Sequence, residues 1–106
     1  MSTAGVKIQF QKKDLEKAAN KILGLKNTII ENSSDAESLF NSIIGVTGDG
    51  TYWGGNERPC RDRVEIDSCN ITEDVIIVKF SAKNEMYTNE YLNCVKEIQN
   101  LLADRT

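Results

Sequence analysis

The three cysteines have the widest chemical range in this sequence, since a thiol can form a disulfide, bind a metal or attack a substrate. They are Cys60, Cys69 and Cys94, and no histidine accompanies them. An odd number argues against a fully paired disulfide framework, so three reduced thiols are the favoured interpretation, with a short Cys60–Cys69 bridge as the alternative. No two cysteines have the Cys-x-x-Cys spacing, and a zinc site without histidine would lack its usual ligands. We therefore expect no metal and no cofactor.

Nucleophilic catalysis would require a base beside one of these thiols. Histidine, the commonest general base, is absent. Cys94 falls in an apolar stripe, where packing in a core explains it better than reactivity does. The sequence therefore predicts that the protein is not an enzyme. A cysteine-dependent enzyme remains a lesser hypothesis, and it predicts that Cys60 or Cys69 reacts quickly with alkylating agents at neutral pH.

The segment Gly48-Asp49-Gly50 has the glycine content of a phosphate-binding loop but lacks its chemistry. The Gly-Lys-Ser/Thr end of such a loop is missing, and Asp49 would repel a phosphate group. A calcium-binding loop would need further acids at alternating positions, which Thr51 and Trp53 occupy instead. A turn is the simpler interpretation of this segment.

The charge balance argues against nucleic acid as a partner. The formal net charge is −3 and the calculated pI is near 4.9. Arg58, Arg61 and Arg63 form only a short basic group, partly neutralised by neighbouring acids, and we interpret them as solvated surface residues. A nucleic-acid binder normally carries a basic stripe, because neutralising phosphates supplies most of its affinity. We expect no nucleic acid among the partners.

Neither a membrane span nor a secretory signal peptide is visible in the sequence. The longest apolar run, 75–78, is far shorter than the ~20 residues that a transmembrane helix needs. Residues 1–6 do not contain a basic region followed by an apolar one. The prediction is a protein that is cytoplasmic at synthesis, with export by a signal-peptide-independent route left open.

Before the centre of the chain, apolar residues recur every three or four positions, with one gap where Ser33 takes the expected place. They are Leu15, Ala19, Ile22, Leu25, Ile29, Ala36, Phe40 and Ile43. This spacing marks one face of a helix. Asp14 is a suitable N-cap, and Gly45 suits the left-handed position just beyond a C-terminus. The pattern predicts one helix over residues 14–44 that continues through Gly24 and bends near Ser33.

Two interpretations compete for the second half of the chain. Counting back from Tyr87 in threes and fours gives a mostly apolar series, which predicts a second helix over about 66–103. Its part over 72–103 would match the first helix in length, as an antiparallel hairpin requires. Against it, 75–80 is rich in β-branched residues and has the composition of a buried strand, with 64–68 as its hairpin partner. The periodicity favours an all-α fold, an antiparallel two-helix hairpin in a single domain, 1–106. The alternative is an α+β fold with a β-hairpin at 64–81.

Glycine is concentrated between these two halves. Five of the seven glycines fall within 45–55, and the only proline, Pro59, follows them, so 45–65 is predicted to be a turn or loop. This segment contains Trp53, Gly54 and Gly55. Here the chain resembles the WXG family, the small helical-hairpin proteins associated with bacterial type VII secretion, which is named for a Trp-x-Gly turn. The resemblance implies that these three residues form the turn between the helices.

The resemblance also implies that the protein functions by association. It predicts a protein-protein interaction module that forms a dimer with itself or pairs with a type VII secretion substrate as a secretion partner or targeting factor. Two helices cannot cover apolar residues on both of their sides, so residues off the main stripes are candidates for partner binding. These are Leu23, Ile30, Leu39, Ile44, Val75, Val78, Leu92 and Val95. The alternative function is a small α+β adaptor or immunity-type inhibitor that binds a toxin or enzyme through acidic residues.

Overall fold

The computed structural model describes residues 5–103, apart from the side chain of Trp53, and it has an α+β fold. Two single-turn 3-10 helices, Cys60–Asp62 and Glu85–Tyr87, connect the longer elements. Those elements are, in chain order, β1 (Val6–Gln11), α1 (Lys12–Leu23), α2 (Ser33–Val46), β2 (Gly48–Trp53), β3 (Asn56–Pro59), β4 (Val64–Thr72), β5 (Val75–Ala82) and α3 (Tyr91–Ala103).

Three of the strands form an antiparallel sheet with the order β1-β5-β4. In this sheet Val78 of β5 lies opposite Ile8 of β1 on one side and Cys69 of β4 on the other. Strand β5 alternates as a half-buried strand must: Ile76 and Val78 are fully buried, whereas Ile77 between them is 43% exposed. One face of the sheet therefore lies on the core, and the other faces solvent.

Strands β4 and β5 are consecutive and form the β-hairpin that the second interpretation of the sequence placed at 64–81. The hairpin reverses at Glu73-Asp74, where Glu73 has a positive φ of 56° and Thr72 lies opposite Val75. The backbone N–H of Lys12 donates to the carbonyl oxygen of Asp74 at 2.8 Å, so the start of α1 is joined to this turn. The hairpin is longer than the sequence suggested, because β4 continues past Ser68 to Thr72.

The all-α prediction and the helix over 66–103 are therefore wrong. The apolar residues counted back from Tyr87 belong to β5 and β4, and their spacing of three and four positions is a coincidence. A short apolar run cannot be assigned by periodicity alone, and the β-branched composition of β5 was the more reliable indicator. Within 66–103, the α-helix is confined to the final part, α3, and a single 3-10 turn at Glu85–Tyr87 precedes it.

The single helix predicted over 14–44 is also wrong, because two helices occupy that range. Gly24 ends α1 in the left-handed conformation, with φ 68°; its N–H donates to the carbonyl oxygen of Asn20, and the N–H of Leu25 donates to that of Ala19. This is the common C-terminal arrangement for glycine. Asn32 then caps α2, because its side chain accepts a hydrogen bond from the N–H of Asp35 at 2.9 Å. Both end signals are present in the sequence, but the apolar stripe that crosses them favoured a single helix.

Helices and sheet meet in one core, at the centre of which lie three phenylalanines. Phe10 of β1, Phe40 of α2 and Phe80 of β5 have ring centroids 5.0, 6.2 and 6.4 Å apart. The two contacts of Phe80 are edge-to-face, an arrangement that aromatic rings prefer. Because these residues come from three elements far apart in sequence, their contact fixes how α2 packs on the sheet.

We expect Phe40→Ala to lower the free energy of unfolding by about 3–5 kcal/mol, because it removes a fully buried ring and leaves a cavity between two others. Urea denaturation followed by circular dichroism measures this change. Ile77→Ala is the matched control on the open face of the sheet, and we expect it to cost less than about 1 kcal/mol. Equal losses from the two variants would contradict the assignment of faces.

Candidate functional site

The eight residues predicted to bind a partner do not form one exposed face. Ile30, Ile44, Val78 and Val95 are buried in the core of the chain itself. Leu23, Leu39 and Val75 are partly buried, on α1, α2 and β5. Leu92 alone is well exposed, at 45%. The two-helix interpretation left these apolar residues without a covering surface. In the α+β fold, most of them are covered by the sheet and the helices of the chain itself.

The Trp53-Gly54-Gly55 motif lies in a β-turn. Trp53 ends β2, and Gly54 and Gly55 connect it to Asn56 at the start of β3. Both glycines have positive φ, 63° and 85°, as the commonest two-residue hairpin turn requires. The chain reverses at these residues, but the elements that they join are strands and not the two helices of the prediction.

Strands β2 and β3 form a two-stranded ribbon that is separate from the main sheet. At its base Gly48 lies opposite Pro59, and the N–H of Cys60 donates to the carbonyl oxygen of Thr47 at 2.9 Å. The ribbon packs along α3. An isolated two-stranded ribbon is marginally stable in water, so the contacts at its base and with α3 determine its position.

One face of the ribbon combines an exposed aromatic ring with carboxylates. Tyr52 is 69% exposed and lies directly opposite Glu57, so their side chains share one face. The N–H of Gly50 donates to Oε2 of Glu57 at 2.9 Å. A Cβ built at Gly50 would be 3.6 Å from Oε1 of Glu97 on α3. Tyr52, Glu57 and Glu97 are named the Tyr52 face below.

The side chain of Glu57 lies across Gly48. A Cβ there would overlap the carboxyl group and side-chain carbons of Glu57. Gly50 has a φ of 84°, which L side chains rarely adopt. The two glycines thus leave space for the Glu57 side chain and place an N–H against its carboxylate. The sequence predicts a turn at these two glycines. In the structure they instead position the carboxylate of Glu57.

Beneath this face, a buried ion-pair network joins the ribbon to α3. Nε of Arg63 is 3.3 Å from Oδ2 of Asp49 in β2 and 3.6 Å from Oε2 of Glu90, which immediately precedes α3. The side chains of Asp49 and Arg63 are only 1% and 5% exposed. Arg58 of β3 adds a contact of 3.5 Å with the same oxygen of Glu90. Arg63 was predicted to be a solvated surface residue, and that prediction is wrong.

Further groups complete the surroundings of these charges. Nη1 of Arg63 donates to the carbonyl oxygen of Pro59 at 3.1 Å, and its guanidinium lies 4.8 Å from the ring centroid of Tyr87. Oδ1 of Asp49 accepts hydrogen bonds from both the N–H and the hydroxyl of Thr51. Its Oδ2 and the Nε of Arg63 are buried without an aligned hydrogen bond, so their contact is mainly electrostatic. Such a pair contributes more to fixing positions than to net stability.

The cysteines do not follow the prediction of three reduced thiols. Cys60 and Cys94 form a disulfide with a Cα–Cα distance of 5.6 Å, and both are fully buried. Cys69 is a free thiol and is 7% exposed, so the Cys60–Cys69 bridge is not formed. Burial, with a smaller contribution from the negative charge of Glu37, raises the pKa of the Cys69 thiol to about 11. A thiol that is neutral and enclosed at physiological pH is a poor nucleophile.

Within residues 5–103, no group of three or more potential ligands is placed to hold a metal ion. Open surface grooves lie elsewhere, around β1 and the start of α1, and one of them is lined by Gln11, Lys13, Asp14 and Lys17. No helix in the same described range is long and apolar enough to cross a membrane. The exposed, chemically mixed Tyr52 face is thus the best candidate for a functional site.

Compared with known proteins, the chain matches no family model, no curated protein and no solved structure. The helical hairpin that the WXG resemblance implied is absent from the described residues, where the Trp-Gly-Gly segment joins two strands. The resemblance therefore remains a prediction from the sequence, without a match and without the architecture it implied.

Sequence reasoning missed the network of Asp49, Arg63 and Glu90. The three residues come from separate elements, and no fixed spacing in the sequence relates them. The only local signal was the crowding of Arg58, Arg61 and Arg63 next to a proline and a cysteine, which composition alone could not separate from an ordinary charged surface.

We expect Arg63→Ala to destabilise the protein by about 3–5 kcal/mol, because it leaves the buried Asp49 carboxylate without its cation. Arg61→Ala is the control, since Arg61 is exposed two residues earlier, and its loss should stay below about 0.5 kcal/mol. Chemical denaturation of both variants tests this. Similar behaviour of the two would contradict a structural role for the buried guanidinium.

The raised pKa of Cys69 predicts a pH dependence of stability. Above pH 9 the thiol of the unfolded protein ionises, whereas the folded thiol stays protonated until about pH 11. The unfolded state then binds fewer protons, so the free energy of unfolding falls as pH rises through this window. Wild type and Cys69→Ala, unfolded quickly enough to precede disulfide exchange, should show diverging profiles above pH 9. Parallel profiles would contradict the pKa shift.

Proposed function

We propose that this protein is a non-catalytic protein-binding module of the α+β adaptor or immunity-inhibitor type. It binds a basic surface of a toxin or enzyme through the Tyr52 face. The observation that carries the proposal is an exposed tyrosine, 69% accessible, paired across the ribbon with Glu57, while Glu97 of α3 approaches the same ribbon at Gly50.

This combination of groups fits a guanidinium or ammonium group on the partner. An arginine can stack on the face of a tyrosine ring while its N–H groups contact carboxylate oxygens. Tyrosine is enriched among residues that dominate binding energy at protein interfaces, because its large rigid surface orders at low entropic cost. Glu57 of the ribbon and Glu97 of α3 both place a carboxylate near Gly50, and they supply this negative charge.

Charge distribution along the chain supports a basic partner. Residues 1–26 contain six lysines and only two acids, whereas residues 27–103 contain 13 acids and six bases. The ribbon and α3 belong to this second, acidic part of the chain. A negative field around the binding face would speed the approach of a positively charged partner and disfavour acidic ones.

One carboxylate of the face, and the strand beneath it, are held by contacts within the protein itself. Glu57 is held by the N–H of Gly50, and the strand beneath it is held by the Asp49–Arg63 pair. Preorganised groups lose less conformational freedom on binding, so more of the contact energy becomes affinity. Because Cys60 and Cys94 are bonded to each other and Cys69 is enclosed, the reactive thiol that a cysteine-dependent enzyme would need is not presented at this surface.

Selection of a random peptide library on the immobilised protein tests the proposal and requires no candidate partner. We expect enrichment of peptides rich in arginine and lysine. Their affinity should fall by about tenfold or more in Tyr52→Ala/Glu57→Gln/Glu97→Gln, given the loss of one stacking contact and two charge pairs. Binding should also weaken as the salt concentration rises.

The matched control removes an exposed apolar side chain and two carboxylates elsewhere, in Ile29→Ala/Glu31→Gln/Glu37→Gln. Ile29 is 71% exposed, and Glu31 and Glu37 are exposed at and near the start of α2. This variant has the same net charge as the test variant, so a difference between them reports position rather than overall charge. Peptides without basic residues, or equal loss in both variants, would rule out the Tyr52 face as the binding site.

A further inference from the structure

The disulfide lies at the point where the ribbon meets α3. Cys60 directly follows β3 and forms the first residue of the turn Cys60–Asp62, while Cys94 lies in the first turn of α3. The bond joins positions separated by 34 residues, and the whole β4–β5 hairpin lies between them in sequence. It is thus the one covalent link among the described residues between the ribbon base and the helix along which the ribbon packs.

The same turn also orients the buried cation. The N–H of Arg63 donates to the carbonyl oxygen of Cys60 at 2.9 Å, and the N–H of Cys60 donates to Thr47 at the start of the ribbon. Arg63 then contacts Asp49 in β2 and Glu90 beside α3. A change in the position of Cys60 therefore shifts the ribbon base and the ion-pair network together.

We propose that oxidation of Cys60 and Cys94 completes the Tyr52 face, so that the reduced protein has its main core but a loosened ribbon. The ribbon lacks a place in the main sheet and is marginally stable alone, so it depends on this attachment. The regulation of binding that follows rests on the proposed function, whereas the attachment itself does not. The binding face is then complete in an oxidising compartment and incomplete in a reducing one.

The reaction balances as ordinary thiol–disulfide exchange. The two thiols lose two protons and two electrons and form the S–S bond, while the disulfide of an oxidant, a protein disulfide or glutathione disulfide, is reduced to two thiols. Because both cysteines are fully buried in the folded protein, oxidation occurs while the ribbon is open, before it closes on α3. Cys69 is neutral and enclosed, so it does not compete in this exchange.

Hydrogen exchange followed by mass spectrometry tests the attachment without any partner. In wild type reduced by a phosphine, and in Cys60→Ala/Cys94→Ala, we expect amides of 48–59 to exchange about tenfold faster or more than in the oxidised protein. Amides of β5 should keep their protection. Cys69→Ala, which keeps the disulfide, is the control and should match wild type. Reduction breaks the disulfide but keeps both sulfur atoms, whereas the substitutions also remove them. An effect seen in both cases is therefore due to the lost bond and not to a packing defect.

Unchanged exchange in 48–59 under both conditions would overturn the proposal, and so would equal loss of protection in β5, because the bond would then stabilise the whole fold. A basic peptide from the library selection gives the second readout, with an expected loss of affinity of about tenfold on reduction. A looser ribbon with unchanged peptide affinity would overturn the regulation alone. Failure of the oxidised protein to bind any basic peptide would count against the proposed function, while the exchange data would still decide the attachment.

Discussion

A buried guanidinium must be surrounded by oxygen atoms, and around Arg63 this requirement determines how separate parts of the chain meet. Its nitrogen atoms contact Asp49 from β2, Pro59 from β3 and Glu90 from the start of α3. The cost of burying a charge is offset only when such partners are all in place. The position of the ribbon is thus coupled to the packing of α3.

The ribbon carries two of the three candidate binding groups, Tyr52 and Glu57, and contacts at its base determine its position. The ion pairs, the hydrogen bond between Cys60 and Thr47, and the Cys60–Cys94 bond all act at its base. Above the base, Tyr52 is exposed and Glu57 is held by a backbone N–H. This division between a fixed base and an open upper part is what a rigid recognition surface requires, because specificity depends on groups that do not move when the partner leaves.

The main sheet and the helices were predicted with unequal success. The composition of 75–80 indicates a strand, and 64–68 is its hairpin partner in the alternative interpretation, but the three-and-four spacing of apolar residues favours a helix over the same residues. Gly24 and Asn32 carried end and start signals for helices, but a continuous apolar stripe obscured them. In both places a local rule was correct and a longer periodicity was misleading, since residues that face one core can align by chance across different elements.

The sequence by itself determined that the chain reverses at Gly54 and Gly55, that β5 has strand composition, and that no histidine is available for metal or base chemistry. Those properties follow from the residue types themselves or from short segments. Tertiary structure alone decided that Cys60 pairs with Cys94 instead of Cys69, and that Arg63 is buried against Asp49 while Arg61 stays exposed. Contacts between residues that are distant in sequence depend on how whole helices and strands pack. The number of residues between them therefore does not predict the distance between their side chains.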